Sequence, residues 1–115
     1  MITHRLILKQ HLNHYGYMYG GELLKFIDEV GYIAANIEFP GNAFVTIGLN
    51  QVVFHKSILD GSILVFNSSL TKKGNTSATF NIDVYNNIDP ENILFTTEIT
   101  FVSIDENGCK TPIKV

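Results

Sequence analysis

Apolar and polar positions along the chain change their period once, near residue 40. From Gly20 to about Asn36 the apolar residues recur at helical spacing, with Leu23, Leu24, Ile27, Val30 and Ala34 on one stripe. Asn36, followed by Pro40-Gly41, supplies a stop signal. Beyond it, Phe44–Phe54, Ser62–Thr71, Thr76–Tyr85 and Ile93–Ile104 are rich in β-branched and aromatic residues and read as strands. Within 78–85, Phe80, Ile82 and Val84 face one way and Thr79, Asn81 and Asp83 the other. Turn signals punctuate the strands at Leu59-Asp60-Gly61, Lys73-Gly74-Asn75, Asn86 to Glu91 and Glu106-Asn107-Gly108. Ahead of the helix, residues 5 to 8 (RLIL) predict a short strand, and residues 11 to 19 a loop or a broken helical turn. Adjacent strands joined by short turns predict an antiparallel meander. One long helix against one face of four or five strands makes the fold class α+β.

Length and charge narrow the function classes. At 115 residues the chain can build one core but not two, so 1–115 is expected to be a single domain. With 45% hydrophobic and 17% charged residues, it has the composition of a folded protein rather than a disordered one. A net charge of −3 without any basic run disfavours nucleic acid, whose phosphates need clustered Lys and Arg. A small anionic ligand stays compatible, since two or three local cations suffice. No apolar run approaches the roughly 20 residues of a membrane span, and the apolar stretch before Lys9 is too short for a signal peptide. No membrane partner is expected, and a cytoplasmic location is. The lone Cys109, in a surface-turn context, reads as incidental. The four histidines lack metal-ligand spacing, so no metal is expected. Neither a Gly-x-Ser-x-Gly elbow nor a Cys–His pair is present, which disfavours serine or cysteine hydrolase chemistry.

The chemistry concentrates in residues 13 to 29, NHYGYMYGGELLKFIDE. Gly20 and Gly21 open the helix, where a ligand can approach the backbone closely. The free N–H groups and the positive end of the helix dipole suit an anionic or polarised oxygen. Asp28 lies at the edge of the apolar stripe, beside Gly21, Leu24, Gly31 and Ala35. Those small neighbours predict room next to a partly buried carboxylate; the alternative is a plain rim residue. If the glycines bind an oxygen and Asp28 is catalytic, the two lie roughly 10 Å apart along the axis, at 1.5 Å per residue. A catalytic group must come within about 3 Å of the reacting atoms, or one water away. A second, antiparallel copy brings its Asp28 level with the first helix start, so the geometry predicts a two-fold dimer with two shared sites.

The pattern N-H-Y-G-x-x-x-G-G-x-L-L-x-x-x-D-E from Asn13 to Glu29 also resembles the signature of hotdog-fold acyl-CoA thioesterases, of the bacterial short/medium-chain and brain-type cytosolic group. Val52-Val53-Phe54-His55-Lys56 followed by Gly61, Gly74-Asn75-Thr76-Ser77, and Phe101-Val102-Ser103-Ile104-Asp105 are similar to further segments of that family. The resemblance implies a central helix wrapped by an antiparallel sheet, paired through a two-fold that makes two sheets continuous. It implies hydrolysis of acyl-CoA to a free acid and CoA, coenzyme A being part of the substrate and no separate cofactor being needed. Asp28 is then general base or nucleophile, Asn13 positions the water or thioester, and the Gly21 N–H polarises the carbonyl with Gly20 beside it. The Gly74–Ser77 turn (Gly74, Asn75, Thr76, Ser77) and nearby cations contact the nucleotide end of CoA. Asn75 stands where the family has Arg, which removes a bidentate phosphate contact; Lys72 and Lys73 can substitute as point charges. Ser57 stands where the family often has Pro.

Other readings remain open at this point. Asn13 can be a turn residue closing its own loop. His55, with Lys56 beside it, can meet a CoA phosphate or be a surface histidine. His14 packs its loop, and His4 and His11 read as incidental. Tyr15, Tyr17, Met18 and Tyr19 line an acyl channel or cover the core. A non-catalytic acyl-CoA-binding module of the same fold is the alternative function; it needs the helix-start pocket but not Asp28. Assembly is expected to be a homodimer at least, with a tetramer or hexamer possible within the family.

Overall fold

The computed structural model describes all 115 residues. It contains β1 (Ile2–Leu6), a 3-10 turn at Lys9–His11, α1 (Gly20–Glu38), β2 (Ala43–Phe54), β3 (Ile63–Lys73), β4 (Ser77–Asn86) and β5 (Asp89–Ile104). The five strands form one antiparallel sheet in the order β1-β3-β4-β5-β2, with α1 across one face. This is the α+β arrangement expected from the pattern, with a helix held in a curved antiparallel wrap. No helix is long and apolar enough to cross a membrane.

The expected meander holds only for β3, β4 and β5. Helix α1 carries the chain across the sheet, so β2 pairs with β5 at the far edge rather than with β3. The return from β2 to β3 is pinned under the loop before the helix by Met18 N–H to Ile58 O (2.8 Å) and a Tyr17–Leu59 bridge. Alternation reports which face a residue takes but not which strand lies beside it. β1 begins earlier than expected, at Ile2. The expected six-residue turn at 86–91 shrinks to Asn87-Ile88, because Asn86 Oδ1 accepts the Ile88 N–H (3.1 Å) and Asn92 Nδ2 grips Asp89 (2.8 Å), so pairing resumes at once.

The core lies between α1 and the sheet. Leu23, Phe26, Ile27, Val30, Gly31, Ala34 and Ala35 are the buried helix positions, and they pack on Leu64, Phe66, Phe80, Ile82, Phe95, Ile99 and Phe101. Phe26 joins the stripe, and Leu24 is only half-buried. The helix sits close to β5 because position 31 is glycine. A Cβ there would lie 3.0 Å from Ile99 Cγ2 and 3.1 Å from the Phe101 ring. The sheet therefore fills the room expected beside Asp28 at Gly31 and Ala35. The glycine serves helix–sheet packing, not ligand access.

Candidate active site

The sequence ahead of α1 folds as a loop cross-tied at several points. Asn13 Oδ1 accepts the N–H groups of Tyr15 (2.9 Å) and Tyr17 (3.2 Å), and Asn13 N–H donates to Tyr17 O (2.7 Å). The loop-closing role is thus real, and it leaves the Asn13 Nδ2 donor free. His11 is not incidental. Its ring is buried edge-on against Phe26 (5.0 Å), its Nδ1 accepts the Leu8 N–H (2.9 Å), and its carbonyl accepts the N–H of Tyr19, the residue that starts the helix. Short-range capping by a histidine has no sequence signal beyond its spacing to the turn.

The helix start is open. Tyr19 makes no side-chain cap, and the first helical bond is Leu23 N–H to Tyr19 O (3.2 Å). The N–H groups of Gly20, Gly21 and Glu22 accordingly have no protein acceptor. The two glycines differ. A Cβ on Gly20 would lie 2.9 Å from Phe54 Cζ, whereas a Cβ on Gly21 would meet nothing within 4 Å. Gly20 is small because an aromatic ring leans on it; the face of Gly21 is free for a ligand.

Beside this start lies a cavity of about 470 Å³, lined by Asn13, Tyr17, Gly20, Phe54, His55 and Lys56 around the buried Met18, Leu23 and Ile58. Tyr17, Met18 and Tyr19 line it, while Tyr15 stays in solvent, stacked on His14. One chain therefore gathers Asn13, Gly20, His55 and Lys56 around the cavity, with Gly21 next along the helix.

Asp28 is elsewhere. It is two turns along α1, roughly 12 Å from Gly20 at 1.5 Å per residue, and it does not line the cavity. Its expected partial burial is absent in the single chain: the residue is exposed, because Gly31 and Ala35 face the sheet and turn Asp28 outward. Its carboxylate accepts a hydrogen bond from Thr46 Oγ1 on β2 (2.5 Å), which holds it beside the edge strand. Thr46 was not marked by any sequence pattern; only the crossing of α1 over β2 brings it there.

The remaining candidates sit at the opposite end of the helix. Lys73 Nζ lies 5.9 Å from the Phe39 ring, just past the end of α1. In the Gly74–Ser77 turn, Gly74 N–H bonds Ser77 O (2.8 Å), Thr76 O accepts from Ser103 N–H, and Asn75 O accepts from Ile113 N–H. Lys72, Lys73 and Asn75 are exposed. Within one chain, the His55–Lys56 pair and the Lys72–Ser77 segment are thus separated by the length of α1, about 28 Å for 19 residues.

The edge that carries Asp28's partner is unusual. β2 has 12 residues, AFVTIGLNQVVF, without a charge or a proline, and Val45, Ile47, Val52 and Val53 are exposed along it. Edge strands are ordinarily blunted by charge, proline or shortness, and a long apolar edge is a template for pairing with another chain.

Comparison with known proteins places this geometry. A thioesterase superfamily model matches residues 15–92. Protein VdlD of Helicobacter pylori is 32% identical over 110 residues, covering 94% of this chain and 63% of that protein, so the chain spans less than two thirds of that relative's length. A hexameric hotdog fold thioesterase of Campylobacter jejuni superposes with a TM-score of 0.85 at 29% identity, over 97% of this chain and 88% of that one. An acyl-CoA hydrolase of Staphylococcus aureus, in complex with butyryl coenzyme A, coenzyme A and coenzyme A disulfide, gives 0.87 at 26% identity, over 98% and 70%. Structures of that hydrolase include alanine variants of an asparagine and of an aspartate fifteen residues further on, the separation of Asn13 and Asp28 here. With a helix opened by paired glycines across an antiparallel sheet, and with about two thirds of its length matched by the family model, the chain belongs to the thioesterase superfamily and has the fold of the hotdog thioesterases.

Proposed function

We propose that the protein is an acyl-CoA thioester hydrolase that works as a two-fold dimer with two shared sites. The observation that carries this reading is the division of the chemistry along α1. The open glycines and Asn13 stand at one end, Asp28 faces outward two turns on, and an uncharged edge strand runs beside Asp28. Pairing two β2 edges antiparallel about a two-fold makes the sheets continuous and runs the two helices head to tail. Asp28 of one protomer then stands level with Gly21 of its partner. The same alignment sets the far end of α1, with Lys72, Lys73 and the Gly74–Ser77 turn, against the partner's cavity mouth at His55 and Lys56. One CoA is thus held by both chains, its acyl end in one protomer's cavity and its phosphates on the other's lysines.

In this arrangement the thioester oxygen points at the Gly21 N–H, which has no competing acceptor within the protein. Charge developing on that oxygen meets a fixed donor at the positive end of a helix; removing one such donor typically costs about 3 kcal/mol of barrier. Asn13 Nδ2, left free by the bonds its Oδ1 makes to the loop, holds the thioester or the attacking water. Asp28 takes a proton from water as the water oxygen attacks the carbonyl carbon, or attacks that carbon itself to give a transient mixed anhydride that water then hydrolyses; in either route the C–S bond breaks. Thiolate leaves, and the acid is released. The asparagine and aspartate altered in the S. aureus hydrolase, at the same separation, support the pairing of Asn13 with Asp28.

Asp28→Asn tests the reading. Loss of a positioned base lowers kcat by roughly 10²- to 10⁴-fold, read as free-thiol release from acyl-CoA, with thermal unfolding unchanged. Retained acyl-CoA binding with no turnover in the wild-type protein would favour the binding-module alternative instead.

A further inference from the structure

β2 departs from regular pairing at two places, between Thr46 and Gly48 and between Asn50 and Val53. The first shift exchanges the faces of the residues beyond it and the second exchanges them back, and Gln51 within the second has φ 58°, the one positive φ outside glycine. Such strain persists where the surroundings over-determine it, commonly near functional sites. Its consequence can be read from the register. Regular pairing onward from Asn50–Glu98 would set Val53 opposite Phe95 and turn Phe54 to the outer face of the sheet. The extra residue instead sets Val53 opposite Thr96 and Phe54 opposite Phe95, on the face that carries the helix.

Phe54 then packs on the buried Phe95 with ring centroids 5.0 Å apart and reaches Gly20, where an added Cβ would lie 2.9 Å from its Cζ. The ring is a wall of the 470 Å³ cavity, whose apolar floor is Met18, Leu23 and Ile58. Small-molecule sites run from roughly 300 to 1,000 Å³, and this cavity lies within that range. We propose that Phe54, turned inward by the bulge at Gln51, sets the length of acyl chain the site accepts. This rests on the hydrolase reading above. Each methylene that enters the cavity raises kcat/KM by about fourfold, until the chain meets the ring and further carbons find no room.

The test is kcat/KM for free-thiol release across a series from acetyl-CoA to palmitoyl-CoA. For the wild type the values rise with chain length and then fall once the chain reaches the ring. Phe54→Ala moves the optimum to longer chains and raises the ratio of longer- to shorter-chain kcat/KM by on the order of tenfold. Phe54→Leu, which keeps an apolar contact to Phe95, shifts it the same way by less and serves if the alanine variant does not fold. Gly20→Ala pushes the ring further into the cavity and shifts the optimum shorter. The double variant Gly20→Ala/Phe54→Ala behaves like Phe54→Ala, because the new methyl group has nothing left to displace. A folded Phe54 variant with the wild-type chain-length profile overturns the proposal while leaving the hydrolase reading intact. A wild-type protein that releases thiol from no acyl-CoA removes both.

Discussion

The two ends of α1 are built to opposite specifications. At the C-terminal end a side chain ties the backbone down: Phe39 N–H bonds Ala35 O (2.9 Å), and Asn42 Nδ2 donates to Phe39 O (3.0 Å) and to Lys114 O (3.0 Å) while its Oδ1 accepts the Lys114 N–H. At the N-terminal end no side chain caps the helix, and three N–H groups stand without a protein acceptor beside a cavity. The closed end ties down the chain terminus; the open end keeps its donors and the positive pole of the helix dipole for something else. The difference teaches where stability and chemistry have been separated. The helix is fastened by its middle and its far end, so its start can go uncapped.

The strongest way to break this comparison is to ask whether the open end works with its own chain's carboxylate. In a two-fold dimer with shared sites, Asp28→Asn and Asn13→Ala homodimers are each inactive. A mixed dimer keeps one intact site, so subunit exchange at equal amounts restores roughly a quarter of wild-type activity, set by the symmetry of the interface. No recovery after verified exchange would return both residues to a single chain.

A second test acts on the open end alone. Gly21→Ala keeps the N–H and adds a methyl group into free space, so the fold is unchanged. Gly21→Pro removes the N–H at a first-turn position that tolerates proline, and kcat falls roughly 10²- to 10³-fold with thermal unfolding nearly as in the alanine variant. Equal kcat in the two variants would leave the donor without a catalytic role.

Acting on the closed end should do the reverse. Asn42→Ala leaves the carbonyls of Phe39 and Lys114 without that donor and lowers stability by about 1 kcal/mol, measured by denaturant titration, with kcat unaffected. The smallest effect is expected from Lys73→Ala. Its ammonium, exposed beside Phe39, makes at most one surface contact to a partner-bound phosphate, and KM for acyl-CoA rises roughly two- to fivefold at constant kcat. A fall in kcat would place Lys73 nearer the reacting atoms than the helix length allows.

Much of this was legible from residue pattern, and the misses share a cause. The helix, its glycine start and the strands between Phe44 and Ile104 follow from period and turn chemistry, which are local. The crossing of the chain to the far edge does not, because alternation carries no information about which strand is the neighbour. The space assigned to Asp28 was wrong for a related reason: Gly31 and Ala35 are small to admit Ile99 and Phe101, a contact between residues about 70 positions apart in sequence. The glycines and Asp28 stand out as candidates by their place on the helix and Asn13 by the resemblance to the family, whereas Thr46 and Phe54 carry no such mark. Phe54 stands in a segment that resembles the family, but its inward face depends on two register shifts in β2 that cancel, which no local pattern announces.

The chain's own residues determined a helix with paired glycines at its start, strands of known face, and an uncharged segment long enough to pair along its whole edge. These follow from backbone sterics and burial, which act over a few residues. Tertiary structure decided that β2 lies at an edge, that two register shifts in it leave Phe54 against the helix, and that Asp28 looks outward beside Thr46. Those outcomes depend on which distant surfaces fit together, and close packing selects among them only once the chain has folded.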